Sequence, residues 1–193
     1  MTLRKQRIVV AGAGFAGLAA ATALSRRYAV TVVDPSERFE WTPNIHEILS
    51  GVKRSDDVLL DSRALVERAG HRYVKDAVTG VDVDSRTVRT AAGDALEYDA
   101  CLLAPGGTRD HGVPGAEANA LDFRHAAAAS RIRERLAALA GRGGRISVVI
   151  VGGGVSGIEA VGEILRRHRE TEGLTLHVVE REPEILPGLP AAL

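Results

Sequence analysis

The chain has 193 residues, 45% of them hydrophobic, and its 25 basic and 25 acidic side chains balance to zero net charge. That length suits one large domain or two small ones, and the neutral balance gives no electrostatic ground for a nucleic-acid or anionic-membrane partner. Aromatic residues, at 4%, leave little for base stacking, and a single cysteine, Cys101, excludes an intrachain disulfide or a CxxC redox pair and points to a reducing, cytoplasmic setting.

The basic opening MTLRKQR and the uncharged run from Ile8 to Leu24 have the outline of a signal peptide. The run is shorter than the roughly 20 apolar residues of a membrane span and is punctuated by glycines, so no transmembrane segment is expected. Ile8–Ala11 is predicted to be a buried parallel strand, being a short β-branched run bounded by glycine. An alanine-rich helix follows over Phe15–Arg27, with Arg26 and Arg27 suited to the negative end of its dipole. Val30–Val33 is the second strand. Residues 35–52 read as irregular with one short helix, and a further helix is expected at about 59–69. From 71 to 98, short β-branched runs alternate with turn signals at Asp84–Ser85 and Gly93–Asp94, the pattern of an antiparallel meander. ACLLAPGG then gives another buried strand, 106–120 a loop that carries a domain boundary, and Leu121–Ala140 a helix. After the break GRGGR, a second apolar strand, VVIV, leads to a second glycine run, a helix and the strand LTLHVVE.

Both glycine runs follow G-x-G-x-x-G: Gly12, Gly14, Gly17 and Gly152, Gly154, Gly157. Each stands between an apolar strand and a helix, and each is followed by a strand that ends in an acid, Asp34 and Glu180. The context gives the motif its weight. The first glycine permits a tight turn, the second lets a diphosphate approach the backbone, and the third lets the helix pack closely on its strand. The diphosphate then meets unpaired amides at the positive end of the helix dipole. Asp34 and Glu180 are placed to accept hydrogen bonds from adenosine ribose hydroxyls. A 2′-phosphate beside Glu180 meets repulsion, which favours NAD(H) over NADP(H), while Arg181 is the residue able to reverse that preference. Two such units imply two dinucleotides, and a flavin is the natural hydride partner of a nicotinamide. The expected fold is therefore α/β, with two Rossmann-like three-layer units. The first, over 1–110, binds FAD and carries the meander; the second, over 111–193 with leading helix 121–140, is a partial NAD(P)-binding domain of βαβ alone.

Along almost its whole length the sequence resembles the pyridine nucleotide-disulfide oxidoreductase superfamily, and its type II NADH dehydrogenase and NADH:quinone oxidoreductase branch most of all. VVAGAGFAGLAAA resembles the FAD unit, which implies cofactor contacts at Gly12, Gly14, Phe15, Ala16, Gly17, Asp34 and Pro35. AVTGVDVDSRTV resembles the meander whose backbone near Val78 meets adenine. EYDACLLAPGG resembles the stretch lying against FAD at Ala104, Pro105 and Gly106. VVIVGGGVSGIEAVGEI with VVERE and ILPG resembles the NAD unit, implying contacts at Gly152, Gly154, Val155, Ser156, Gly157 and Glu180. RFEWTPNIHEILSG lacks the paired cysteines of a disulfide reductase and reproduces the F-x-x-x-P-x-x-x-E-x-x-x-G of quinone-reducing members. The resemblance implies that Thr42, Pro43 and Asn44 approach the isoalloxazine; read alone, the segment is an ordinary helix–loop packing element.

By the same resemblance Glu159 lies near the nicotinamide–flavin contact as the candidate catalytic residue, orienting the carboxamide or relaying a proton. Read alone, it is an acid in a first helical turn complementing the dipole. Glu163 reads as an i,i+4 partner of Arg167, and Cys101 as a small core residue. The six histidines show no ligand spacing, so no metal is expected. The implied activity is an FAD-dependent NAD(P)H dehydrogenase that passes hydride from NADH to FAD and on to a quinone or similar acceptor. The resemblance covers the N-terminal half of such enzymes. A non-catalytic nucleotide-binding or assembly module stays open beside it, completed by a second copy, a complementing chain or a missing C-terminal half. The expected location is the cytoplasm, or the inner face of the membrane where a full-length protein carries an anchor.

Overall fold

The computed structural model describes residues 4–107 and 113–188. It divides into two compact units: 1–40 with 59–112, and 41–58 with 113–193. In the first unit, β1 (Arg7–Ala11), β2 (Ala29–Asp34), β5 (Arg72–Lys75) and β9 (Ala100–Leu103) form a parallel sheet in the order β5-β2-β1-β9. Alternation along the strands divides the core between two faces. Val10, Val30 and Val32 pack with Leu18 and Ala21 of α1 (Phe15–Ala23) and Val66 of α3 (Ser62–Arg68). Val9 and Val33 pack on the opposite face with Val88 and Tyr98 of the meander β6 (Val78–Asp82), β7 (Thr87–Thr90) and β8 (Ala95–Glu97). The result is three layers: helices, parallel sheet, meander.

Several expected boundaries move for identifiable reasons. The first helix stops at Ala23, because Leu24 turns to extended backbone. Arg26 serves a different helix, donating from Nη2 to Arg68 O (3.0 Å) and from Nε to Ala69 O (3.3 Å) at the end of α3. The helix expected at 59–69 begins only at Ser62. Residues 59–61 instead form β4 (Leu59–Asp61) against β3 (Arg38–Glu40), and Asp61 caps α3 by accepting from Ala64 N at 2.8 Å. Residues 72–75 leave the meander and pair parallel with β2, since Tyr73 fills the helix-side core. The loop expected at 106–120 contains a short helix α4 (Ala116–Asn119), and the helix expected from 121 starts at Ala126 as α5 (Ala126–Ala140).

The larger correction concerns the segment 41–58, expected inside 1–110. It folds with the second unit. Ile45 just before α2 (Glu47–Ser50), Ile48 and Leu49 within it, and Val58 join Ala126, Ala129 and Leu136 of α5 and Ala160 and Ile164 of α6 (Val155–His168) in one core. Helical spacing of three apolar residues needed a facing stripe, and the two alanine-bearing helices supply it. Val148 and Ile150 of β10 (Ile146–Val151) and Leu174 and Leu176 of β11 (Leu174–Val179) close that core from the sheet side. Among the described residues this parallel sheet has two strands, and its other face leaves Val149 (57%) and Val151 (62%) exposed. The second unit is thus the βαβ expected, with one face of its sheet covered.

Ile48 is fully buried where α2, α5 and α6 meet. Ile48→Ala is expected to cost about 2–5 kcal/mol, the usual range for such a truncation. Chemical denaturation checks this, and the loss should exceed that of Val52→Ala, whose side chain is exposed.

Candidate dinucleotide-binding site

The first cup is built at the carboxyl end of β1. Gly12 leaves the strand at φ +106° and donates its N–H to Val33 O at 2.8 Å. Ala13 N then donates to Asp34 Oδ2 (2.7 Å), and Ser36 N to Asp34 Oδ1 (2.8 Å). The strand-end carboxylate therefore ties the glycine turn to the neighbouring strand. Helix α1 begins at Phe15, with Gly14 as an N-cap that offers no side chain, so its first amides have no intrahelical acceptor. A methyl group on Gly17 would stand 1.9 Å from Gly12 O, which is why helix and turn lie so close. One on Gly14 would meet nothing within 4 Å.

Other expected residues of this unit lie at the same carboxyl-terminal end of the sheet. Ala104 follows β9 and donates to Ala11 O at 2.8 Å; a methyl group on Gly12 would lie 2.1 Å from Ala104 O. The Ala104-Pro105-Gly106 stretch is thereby pressed against the turn. Asp76 N donates to the backbone oxygen of Asp34 at 3.1 Å, leading the chain into β6, which begins at Val78. Pro35 and Ala16 are exposed beside the cup, and Phe15 stands edge-on to Phe39 at 4.7 Å.

The second cup repeats the design. Gly152 also has φ +106° and donates to Val179 O at 2.8 Å. Gly153 N donates to Glu180 Oε2 at 2.5 Å. A methyl group on Gly157 would again lie 1.9 Å from the first glycine's oxygen, and one on Gly154 would again meet nothing within 4 Å. Val155 and Ser156 are exposed in the first turn of α6. Glu180 Oε1 additionally accepts from Arg181 N (2.7 Å) and Glu182 N (3.1 Å). These backbone donors, Glu182 first, hold the Glu180 carboxyl below its usual range. The guanidinium of Arg181 is turned to Glu182 Oε1, 3.1 Å from Nη2. Leu186 N donates to Gly153 O at 2.7 Å, laying the segment after Glu180 across the turn.

Thr42 and Pro43 sit exposed in a single 3-10 turn over Thr42–Asn44, within the second unit. Side chains brace the turn: Trp41 Nε1 donates to Asn44 Oδ1 (2.7 Å), and Asn44 Nδ2 to Glu47 Oε2 (2.9 Å), which also takes Lys53 Nζ at 2.5 Å. Lys53, then Asn44, hold the Glu47 carboxyl down. Glu159 lies in the same unit, with its Oε2 3.6 Å from His46 Nδ1. The expected Glu163–Arg167 pair is replaced: Glu163 pairs with Arg166 at 3.3 Å, and Arg167 donates to Ser50 O at 3.1 Å. Burial pushes the Cys101 thiol up, which suits a packing role. Among the described residues no cluster of three or more His, Cys, Asp or Glu side chains could hold a metal, and no helix is long and apolar enough to cross a membrane.

The doubled turn, its open second glycine and its strand-end acid coincide with a family match. The family model for pyridine nucleotide-disulphide oxidoreductases matches residues 6–193. The chain belongs to that family. It is 27% identical over 203 residues to a demethylphylloquinone reductase of Synechocystis sp., an alignment covering 98% of this chain and 50% of the relative. It is 29% identical over 189 residues to an alternative NAD(P)H-ubiquinone oxidoreductase of Arabidopsis thaliana, covering 85% of this chain and 36% of that one. The fold is similar to that of NDH2 from Plasmodium falciparum solved with NADH, with a TM-score of 0.84 at 18% identity, over 97% of this chain and 44% of that one. The chain thus spans about half the length of relatives it matches, or less.

Sequence reasoning missed two features of the site. Asp34 and Glu180 were expected to face ribose hydroxyls or, read alone, solvent, whereas the structure shows both bracing the turn. The same reasoning passed over His46, whose partner lies far along the chain with no local signal. The Trp41–Asn44–Glu47 ladder did have a signal, its i, i+3 spacing.

Two outcomes follow from this geometry. Gly152→Ala meets only the backbone penalty, about 1–2 kcal/mol. Gly12→Ala adds overlap with Ala104 O, a further 1–3 kcal/mol or so, and should shift the denaturation midpoint further. Because the Glu180 pKa is depressed, its bracing is fully present above the ordinary carboxyl value of 4.5 and is lost as pH falls through the lower folded-state value. Amide hydrogen exchange at Gly153, Arg181 and Glu182 should lose protection over that interval, and Glu180→Gln should abolish the pH dependence.

Proposed function

We propose that the first unit holds FAD and the second NAD(H), within an FAD-dependent NAD(P)H dehydrogenase that delivers electrons to a quinone-like acceptor. The observation that carries the reading is the repeated cup, with space at Gly14 and Gly154 where a side chain would otherwise stand. Both cups fit a dinucleotide diphosphate: bare backbone, a helix N-terminus, and a carboxylate at the adjoining strand end. In the first cup Gly12, Gly14, Phe15, Ala16 and Gly17 would line the diphosphate, Asp34 and Pro35 the ribose, Val78 the adenine, and Ala104, Pro105 and Gly106 the flavin side. In the second, Gly152, Gly154, Val155, Ser156 and Gly157 would take the diphosphate and Glu180 the ribose. The relatives' names supply the acceptor class, demethylphylloquinone in one and ubiquinone in the other.

Bound FAD would accept a hydride from NADH and pass electrons to the acceptor. The chain's own residues bind and orient. Asp34, with both oxygens engaged by backbone N–H groups, keeps lone pairs for ribose hydroxyls. Glu180 stays ionised, so a 2′-phosphate meets negative charge, and the Arg181 guanidinium that would offset it is turned to Glu182. NADH is therefore the favoured donor. Thr42 and Pro43 are offered on a braced turn for the isoalloxazine, and Glu159 for the nicotinamide carboxamide or a proton.

A second reading has its own support. A methyl group on Gly152 would meet nothing within 4 Å where one on Gly12 would meet Ala104 O, and Val149 and Val151 are exposed. The 193 residues would then be the nucleotide-holding part of a catalyst completed by a second copy, a complementing chain or further sequence. Its place would be the cytoplasm or the inner membrane face.

Purified protein supplied with FAD is expected to turn yellow, and NADH to bleach it. Retained colour without bleaching supports the second reading, and no retained flavin sinks the FAD assignment. Asp34→Ala should weaken FAD retention about tenfold or more, the scale of a hydrogen bond to a charged group.

A further inference from the structure

Glu159 is the fifth residue of α6, so it lies past the first turn in which a dipole-complementing acid was expected. His46, immediately before α2, brings Nδ1 to 3.6 Å from Glu159 Oε2. The two are far apart in sequence and meet because Ile48 and Leu49 on one side, and Ala160 and Ile164 on the other, share a core. The nearer acid in sequence, Glu47, is already committed to Lys53 and Asn44. The His46 side chain is 19% exposed and Glu159 40%, so the imidazole is held while the carboxylate reaches solvent.

We infer that His46 is a positioning residue, fixing the Glu159 carboxylate through Nδ1 so that it meets the nicotinamide half of the nucleotide bound by the second unit. The inference rests on the nucleotide reading above. A glutamate on a helix surface explores several rotamers, and immobilising one on binding lowers affinity. A carboxylate restrained beforehand avoids that loss. At 3.6 Å the contact is longer than a direct hydrogen bond, so attraction acts as an ion pair or through one bridging water. Either form depends on where Nδ1 stands. Asparagine places its amide nitrogen near that position, whereas glutamine places it near Nε2.

The test is calorimetric titration of the protein with NADH and with ADP-ribose, which keeps the adenosine and diphosphate but lacks the nicotinamide ring. His46→Ala and His46→Gln are expected to raise the Kd for NADH about three- to tenfold, the span of one ordinary hydrogen bond, and to leave ADP-ribose within about twofold. His46→Asn should recover most of the loss. Glu159→Gln should reproduce it, and the double variant should be no worse than either single change. Equal losses for both ligands would show a merely structural histidine and overturn the inference, as would unchanged NADH affinity. Should His46→Ala not fold, the contrast between asparagine and glutamine decides alone. Wild-type protein that binds neither ligand overturns the inference together with the nucleotide reading; binding of both with no selective loss overturns the inference alone.

Discussion

Both units depend on one backbone event: a glycine leaves a parallel strand at φ +106° and donates its N–H to the carbonyl of the residue just before the neighbouring acid, Val33 or Val179. An L-residue resists that conformation, so the turn is reserved to glycine. Once made, it aims the next amide at the acid closing the neighbouring strand, and Ala13–Asp34 and Gly153–Glu180 are the same bond made twice. The acid thereby fixes the turn with some of its lone pairs and keeps others for the ribose proposed to bind there. A carboxylate has room for both, since its two oxygens accept about four hydrogen bonds. The turn's shape and the charge at its rim are thus set together.

The copies differ in what surrounds them. In the first, β9 lies beside β1 and its continuation presses Ala104 against Gly12, so the sheet encloses the turn from both flanks. In the second, β10 pairs only with β11 among the described residues, and Gly152 faces open space. Glu180 makes up part of that difference by gathering three backbone donors where Asp34 gathers two. The longer side chain suits a turn with less support. Apolar Val149 and Val151 on the uncovered sheet face belong to the same asymmetry.

The glycine turns were legible in the sequence because their constraint is local: strand, positive-φ glycine, close helix and acid lie within about thirty residues. So were the parallel strands and the meander, whose period-two runs are bounded by turn residues. Placement of Arg72–Lys75 was not, since a short β-branched run is equally good in a meander or at a sheet edge, and Tyr73's fit beneath the helices decided it. The unit to which 41–58 belongs was also hidden. Ile45, Ile48 and Leu49 announce an apolar stripe but carry no address; the address is the alanine-lined faces of α5 and α6, over seventy residues onward. His46 and Glu159 were unreadable as a pair for the same reason.

That misplaced segment changes what the resemblance means for this chain. Thr42, Pro43 and Asn44, expected near the flavin, and Glu159, expected near the nicotinamide, belong to one folded unit rather than two. Their mutual geometry is fixed by the buried contact of Ile45, Ile48 and Leu49 with Ala160 and Ile164 and by the Arg167–Ser50 bond, so it is as rigid as that core. The turn proposed to face the flavin and the glutamate proposed to face the nicotinamide are therefore built into the same body. The packing of a short helix on two long ones, and not the glycine turns, sets the spacing between them.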